Sequence, residues 1–127
     1  MIKVVCAIIE NDGSILACRR KAEKARGGKW EFPGGKMHAG ESPEESIKRE
    51  LFEELSVDVE VNGELGSVKH LYPDISIELI ALKCTIPGGT IRLTDHDEAR
   101  WITFSELKLL DFSDADCAVI EKILRLK

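Results

Sequence analysis

Short apolar runs rich in β-branched residues open the chain, and they predict strands. Residues 2–10 read IKVVCAIIE, and Asn11-Asp12-Gly13 leads from them into SILACRR at 14–20. Two such runs joined by a turn of Asn, Asp and Gly predict a β-hairpin. The charged, glycine-containing residues 21–29 predict a loop, and WEFPGG at 30–35 predicts a short extended piece broken by proline and glycine.

The next segment has the clearest helical period in the chain. Ser42 is the predicted N-cap, Pro43 takes the first helical position, and Glu45 follows three residues after the cap, as in a capping box. Apolar residues then recur at intervals of four, which predicts a buried stripe on one helix face. The stripe consists of Ile47, Leu51 and Leu55.

The second half of the chain returns to strand patterns and ends in a helix. Strands are predicted at 57–62, 64–72, 75–86 and 99–104. A turn at Asn62-Gly63 is expected between the first two, and a helical turn is expected at 105–110. The residues predicted to face inward on an amphipathic helix at 114–127 are Ala118, Ile120, Ile123 and Leu124. The order β-β-α-β-β-β-α predicts an α/β (α+β) fold, a mixed sheet with helices on both faces.

Composition narrows the class of protein. The chain has 127 residues, 43% hydrophobic and 32% charged, which predicts one globular domain over 1–127. A net charge of −5 disfavours a nucleic-acid polymer as partner, and no apolar run is long enough to span a bilayer. The scattered cysteines predict free thiols, buried or semi-buried, in a reducing cytoplasm: Cys6, Cys18, Cys84 and Cys117. The histidines show no ligand spacing and are predicted on the surface or in loops: His38, His70 and His96.

Three acids near the end of the predicted helix suggest a metal site. Glu50, Glu53 and Glu54 share one helix face, with Cβ atoms about 5–6 Å apart, and like charges at this spacing are destabilising unless a cation lies among them. Carboxylates are the ligands that Mg²⁺ and Mn²⁺ prefer. A solvated acidic face is the ordinary alternative. Two features count against it: the helix dipole disfavours acids just before a helix end, and the glycine turn at 33–35 allows close approach of a ligand. Arg49 can bridge carboxylates one turn away on either side, Glu45 and Glu53.

This spacing resembles a known family motif. Gly35, Glu41 and the run from Arg49 to Val57 match the Nudix box, G-x5-E-x7-R-E-U-x-E-E-x-G-U with U aliphatic, except that Ser56 stands where the family has glycine. The resemblance extends along the chain to MutT-type nucleoside triphosphate pyrophosphohydrolases, and in particular to their CTP pyrophosphohydrolase branch. It implies the Nudix fold, a mixed β-sheet sandwiched between helices (α/β/α).

The resemblance also implies roles for individual residues. The implied ligands of Mg²⁺ or Mn²⁺ are Glu50, Glu53, Glu54 and the carbonyl of Gly35. Glu41 is given a structural role where the loop meets the helix. The implied catalytic set is Glu53, Glu54, Glu50, Arg49 and Asp95. A later-loop acid acts as ligand or general base in the family, and Glu98 competes with Asp95 for that role.

Substrate-binding residues follow from the same resemblance. Arg20 matches an arginine that contacts phosphate, Tyr72 an aromatic residue near the nucleobase, and Asp116 a base-reading position. Two of them have an ordinary alternative that suits them equally: Arg20 as a surface charge at a strand end, and Asp116 as a cap of the last helix. The alternative for the loop that carries Asp95 is a polar surface turn, which is the less favoured interpretation.

The expected activity is Mg²⁺-dependent hydrolysis of a nucleoside triphosphate, of 8-oxo-dGTP or (d)CTP type, to a nucleoside monophosphate and pyrophosphate. Its expected role is housecleaning of the nucleotide pool. One alternative is hydrolysis of a nucleoside diphosphate linked to another group, and a second is a non-catalytic Nudix module that senses nucleotides. The expected partner is a small nucleotide, with no nucleic-acid polymer and no membrane, and the chain is expected to act as a monomer or homodimer.

Overall fold

The computed structural model describes residues 1–124, and its elements follow the predicted order except that two short strands form in the extended piece before the first helix. The strands are β1 (Ile2–Asn11), β2 (Ser14–Arg20), β3 (Trp30–Glu31), β4 (Gly34–Lys36), β5 (Glu60–Leu71), β6 (Ser76–Thr85) and β7 (His96–Thr103). The helices are α1 (Pro43–Leu55), a 3₁₀ helix (Phe104–Leu109) and α2 (Asp114–Lys122). The predicted hairpin forms between β1 and β2, where Asp12 and Gly13 both have positive φ, as a tight hairpin turn requires.

Strand β1 lies at the centre of a mixed sheet. It runs parallel to β6, with Ile2 beside Ile77 and Ile9 beside Cys84. β4 pairs antiparallel with the first half of β1, and β2 pairs antiparallel with the end of β1. Strand β1 therefore changes its antiparallel partner along its length. β5 lies outside β6, while β3 and β7 flank β2.

Alternate residues of β1 enter two separate hydrophobic clusters, one on each face of the sheet. The α1-side cluster includes Val5, Ala7, Ile9, Ile47, Leu51 and Leu55. The α2-side cluster includes Cys6, Ile8, Phe32, Ala115, Val119 and Leu124. Burying each large aliphatic side chain contributes about 1.5–3 kcal/mol, so both helices are held to the sheet mainly by these clusters. The prediction of a mixed sheet with helices on both faces is therefore confirmed.

Local signals in the sequence set the limits of α1. The Ser42 side chain accepts from the Glu45 backbone N–H, and the Glu45 side chain accepts from the Ser42 N–H, which completes the predicted capping box. The predicted stripe of Ile47, Leu51 and Leu55 is buried. The helix ends at Ser56, whose backbone is left-handed with φ of 58° and whose N–H donates to Phe52 O.

The predicted turn at Asn62-Gly63 is wrong, because β5 continues through it. The register with β6 shifts between Val61 and Gly63 and again between Glu64 and Gly66, so each site is a bulge inside one strand. Gly63 and Gly66 have φ of 129° and 143°, values that favour glycine. Residues 57–59, predicted as part of a strand, precede β5.

The residues predicted to face inward on helix α2 do pack on the α2-side cluster, but other residues of the helix are buried more deeply. Leu124 is buried, but the other three residues predicted to face inward are only half-buried: Ala118, Ile120 and Ile123. The deepest residues are Ala115, Asp116 and Val119, because the first turn of α2 packs against the cleft described below. The helix itself ends at Lys122, and the part predicted at 125–127 lies outside the described residues.

The four cysteines are free thiols, three of them buried and Cys117 half-buried, as predicted. Among residues 1–124, no helix has the length and apolar character needed to cross a membrane.

Candidate active site

The glycine turn and the acidic face of α1 fit against each other. Glu54 is 8% exposed and accepts a hydrogen bond from the Gly34 N–H at 3.1 Å. Gly35 lies against Glu50, so closely that a Cβ on Gly35 would overlap the Glu50 carboxylate. The absence of a side chain at residue 35 is therefore what lets this acid approach the turn.

Arg49 holds the remaining acids in place. Its Nη1 donates to Glu50 and to Glu53, at 2.9 Å each, and its Nε donates to Glu41 at 2.6 Å. Glu53 is bridged as predicted, but Glu45 is not, because its carboxylate is used in the capping box. Since Glu41 also accepts from the His38 N–H, the predicted structural role of Glu41 agrees with its contacts at the junction of loop and helix.

Electrostatics distinguish two of these carboxyl groups. Hydrogen bonds from Arg49 and from the His38 backbone lower the pKa of Glu41 to about 2. Burial, followed by the nearby charges of Glu31 and Glu50, raises the pKa of Glu54 to about 9. A buried carboxyl group surrounded by further acids favours a cation at this point.

The same acids provide a test of whether a metal ion fits. Within residues 1–124, no three acid, histidine or cysteine side chains already converge on one point, since the Arg49 guanidinium pairs with both Glu50 and Glu53. The donors are nevertheless hard oxygens, and Glu54, which has further acids nearby, forms no ion pair within residues 1–124. Chemistry and charge thus fit Mg²⁺ or Mn²⁺, with Arg49 as the competitor for the carboxylates.

A cleft of about 170 Å³ begins at the glycine turn and runs along the α2 face of the sheet. It brings together the predicted substrate residues Arg20, Tyr72 and Asp116, and Gly35 lies at its wall. The acids of α1 and the cleft therefore meet at the turn.

Asp116 and Tyr72 are held by the first turn of α2 and its neighbours. Asp116, buried, accepts from the Phe32 N–H at 2.9 Å and from the Ser113 hydroxyl. Ser113 occupies the N-cap, so Asp116 does not itself cap α2. Burial and the charge of Glu31 raise the Asp116 pKa. The Tyr72 hydroxyl accepts from the Ala115 N–H at 2.9 Å.

Behind Arg20 lies a pair of residues that the sequence did not reveal. Arg20 Nη1 lies 3.2 Å from Glu31 Oε2, and His96 Nε2 lies 2.8 Å from the same oxygen. The prediction of a surface or loop position is wrong for His96, which is buried at the start of β7. His70 lies on strand β5 and is half-buried, so it is neither in a loop nor fully on the surface. His38 is exposed, as predicted. The position of Glu31 beside the glycine turn was the available signal for its role.

The geometry favours Asp95 over Glu98 as the later-loop acid. Thr94 donates to Glu53 O and the Arg92 N–H to Leu55 O, so the loop before β7 is fastened to the end of α1. Asp95 lies close enough to Glu54 for its charge to help raise the pKa of that group. Glu98 is paired with Arg100 at 2.6 Å, whereas Asp95 has a longer contact of 3.3 Å with Lys24.

This fold and this arrangement of acids define a class of enzyme. Residues 4–122 match the family model described as NUDIX domain, and the chain belongs to the Nudix hydrolase family, which confirms the resemblance seen in the box.

Two relatives match this chain over nearly their whole length. The chain is 34% identical over 127 residues to the CTP pyrophosphohydrolase of Escherichia coli (strain K12), covering 100% of this chain and 94% of the relative. It is 30% identical over 126 residues to the 8-oxo-dGTP diphosphatase of the same strain, covering 98% of each. The crystal structure of the MutT protein from Methanosarcina mazei Go1 superposes with a TM-score of 0.89 at 26% identity, covering 98% of this chain and 94% of that one.

Proposed function

We propose that this chain is a Mg²⁺-dependent nucleoside triphosphate pyrophosphohydrolase that releases a nucleoside monophosphate and pyrophosphate. One observation carries the proposal. The hydrogen bond from Gly34 to Glu54 joins the acidic face of α1 to a cleft that already contains Arg20, Tyr72 and Asp116. A polyphosphate bound at this junction would extend from the acids into the cleft.

Glu50, Glu53, Glu54 and the Gly35 carbonyl are the groups that would hold Mg²⁺ or Mn²⁺. When bound, the metal would neutralise charge on phosphate oxygens and polarise an attacking water. Arg49 fixes the orientations of Glu50 and Glu53 through its two 2.9 Å hydrogen bonds. Asp95, on the loop fastened to the end of α1, is the proposed acceptor of the proton from water.

At the other end, Arg20 would bind phosphate. Its planar guanidinium suits phosphate oxygens, and Glu31 and the Ala25 carbonyl hold it in place, with Ala25 O at 2.7 Å from Nε. These restraints reduce the side-chain freedom that Arg20 would lose on binding substrate.

Asp116 bears on the choice of base. Each carboxylate oxygen has two lone pairs, and one on each is used by Phe32 and Ser113. The remaining acceptor capacity favours a base edge that carries an amino group, such as that of cytosine. The relatives named for CTP and for 8-oxo-dGTP support a substrate of (d)CTP or 8-oxo-dGTP type, in a nucleotide-pool housecleaning role.

A nucleoside diphosphate linked to another group would use the same acids and differ only in products. A non-catalytic sensor is less well supported, because every acid of the box is present. The free thiols fit a reducing cytoplasm. The protein would act as a monomer or homodimer on a small nucleotide, away from nucleic-acid polymers and membranes.

The test is a screen of standard and oxidised nucleoside triphosphates with Mg²⁺ and product identification. Glu53→Gln should lower turnover on the order of 100- to 1,000-fold, since a metal supplies several kcal/mol to the transition state. The matched control is Glu44→Gln, an exposed acid on the same helix that pairs only with Lys48 among the ion pairs of residues 1–124. Near-normal turnover by Glu53→Gln, or nucleotide affinity without any product from the wild type, would overturn the proposal.

A further inference from the structure

The Tyr72 ring is enclosed on several sides. Its hydroxyl is bonded to the Ala115 N–H, and its backbone forms a tight turn with Ile75 through a 2.8 Å hydrogen bond. The His70 ring meets it at 4.5 Å between centroids with an interplanar angle of 66°. The Tyr72 side chain also packs on the α2-side cluster. These contacts fix the ring as part of the wall of the cleft.

The guanidinium of Arg26 covers this wall. Its Cζ lies 4.2 Å from the Tyr72 ring centroid, and Nη1 donates to Asp74 at 3.0 Å. Arg26 lines the cleft and its side chain is 28% exposed, so it has a surface that neither Tyr72 nor Asp74 covers. Arg26 and Tyr72 therefore form this side of the cleft together, with the guanidinium lying over the ring.

The backbone around Arg26 holds it in this position. Arg26 has a backbone φ of 57°, in the left-handed region that residues other than glycine rarely adopt. The preceding carbonyl, Ala25 O, accepts from Arg20 Nε, and the Gly28 N–H donates to Arg20 O. The loop is thus anchored to the residue proposed to bind phosphate.

We propose that Arg26 is a substrate-binding residue whose guanidinium, supported by Tyr72 and held by Asp74, stacks on the nucleobase. This inference rests on the proposed function, since it assigns the base to the cleft. A planar cation held against an aromatic ring presents its other face for stacking, and base stacking tolerates every base because each has a π-face.

Charge and position both favour the base over the phosphates as the partner of Arg26. The Asp74 carboxylate, 3.0 Å away, already offsets the positive charge, which weakens attraction to phosphate more than it weakens stacking. Arg26 shares the cleft with Asp116, the proposed base reader, whereas the α1 acids meet the cleft at the Gly34–Gly35 turn. Tyr72 lies with Arg26 at the base end in this arrangement.

The experiment measures binding by calorimetry of the full chain with Mg²⁺. The ligands are α,β-methylene analogues of ATP, CTP and GTP, which resist hydrolysis, and inorganic tripolyphosphate, which has no base. The variants are Arg26→Ala and Arg26→Lys, with Lys29→Ala as matched control. Lys29 is a cation on the same loop that pairs with Asp111, outside the residues that line the cleft.

Arg26→Ala should weaken the three nucleotide analogues by about tenfold and leave tripolyphosphate unchanged. Arg26→Lys keeps the charge without the planar face and should weaken the analogues nearly as much, while Lys29→Ala should behave as wild type. An equal loss for tripolyphosphate, unchanged or tighter analogue binding, or a wild type that binds analogues no better than tripolyphosphate would overturn the inference. Failure of the proposed function is recognised separately, as analogue binding without any hydrolysis of the natural triphosphates.

Discussion

His96 Nε2 lies 2.8 Å from Glu31 Oε2, and this buried imidazole is the innermost member of a chain that ends at Arg20 in the cleft. Nε2 makes the contact, whereas Nδ1 has no hydrogen-bond partner among residues 1–124. His96 is therefore placed to position Glu31, and through it Arg20, by a single nitrogen.

Replacement of His96 should raise KM more than it lowers kcat, because it would loosen Arg20 without touching the acids of α1. We expect His96→Leu to raise KM for a nucleoside triphosphate by about tenfold, corresponding to loss of one charged hydrogen bond. His96→Gln, whose amide nitrogen can reach the position of Nε2, should restore most of the loss. Equal KM values for the Leu and Gln variants would contradict this positioning role. Steady-state kinetics and urea unfolding of both variants separate it from simple loss of stability.

Alanine at the two glycines of the turn should affect different properties: turnover at Gly35 and stability at Gly34. The atoms nearest to a Cβ on Gly35 would be those of the Glu50 carboxylate, the end of a side chain, whereas a Cβ on Gly34 would overlap the Val5 carbonyl of β1. Gly35→Ala should therefore lower turnover by about 10- to 100-fold, through a displaced acid, with little loss of stability. Gly34→Ala should destabilise the fold by about 1–3 kcal/mol. Turnover and urea midpoints of the two variants check this, and a fully active Gly35→Ala would show that the position of Glu50 is unimportant.

The metal-free protein should lose stability as the pH rises. Burial raises the Glu54 pKa from its ordinary value of 4.5 to about 9, so the folded state keeps a proton that the unfolded state releases between these pH values. The stabilising effect of that proton is complete below pH 4.5 and is lost as pH rises through about 9. Urea midpoints in EDTA should fall with pH more steeply for the wild type than for Glu54→Gln, and added Mg²⁺ should reduce the difference. Parallel pH profiles for the two proteins would refute the expectation.

The end of α1 contains strain that glycine would relieve. Ser56 has φ of 58°, where a Cβ is unfavourable, and it stands at the one fixed position where the box departs from the family pattern. Ser56→Gly should stabilise the protein by about 0.5–1 kcal/mol, whereas Ser56→Ala, with a Cβ in the same conformation, should have little effect. Urea unfolding of both variants provides the measurement. A destabilised Ser56→Gly would mean that the serine hydroxyl makes a compensating contribution.

Features encoded by neighbouring residues were predictable, and features that depend on distant partners were not. The capping box of Ser42 and Glu45 lies within four residues, so the sequence alone predicts it. Asn62-Gly63 has the composition of a turn, but pairing with β6 converts it into a bulge. His96 is buried because Glu31, 65 residues away, provides its partner.

The candidate site shows the same division. The three acids of the box share a helix face by their spacing alone, and the Nudix resemblance predicted Arg20, Tyr72 and Asp116 as substrate residues, which the fold gathers into one cleft. Neither the spacing nor the box indicated Arg26. Tyr72 is 46 positions further along the chain, and the 4.2 Å contact between the two side chains exists only because the 21–29 loop folds over the residue that follows β5.

The two faces of β1 separate the two halves of the enzyme. Val5, Ala7 and Ile9 support the helix that carries the acids, whereas Cys6 and Ile8 lie under the helix that carries Asp116, and β4 pairs with β1 where the glycine turn meets the cleft. Under the proposed function, substitutions beneath α2 would change which base is accepted and leave the α1 acids in place. Such a layout would allow enzymes for different nucleotides to share the same acidic helix and to differ by substitutions in a single layer of the protein.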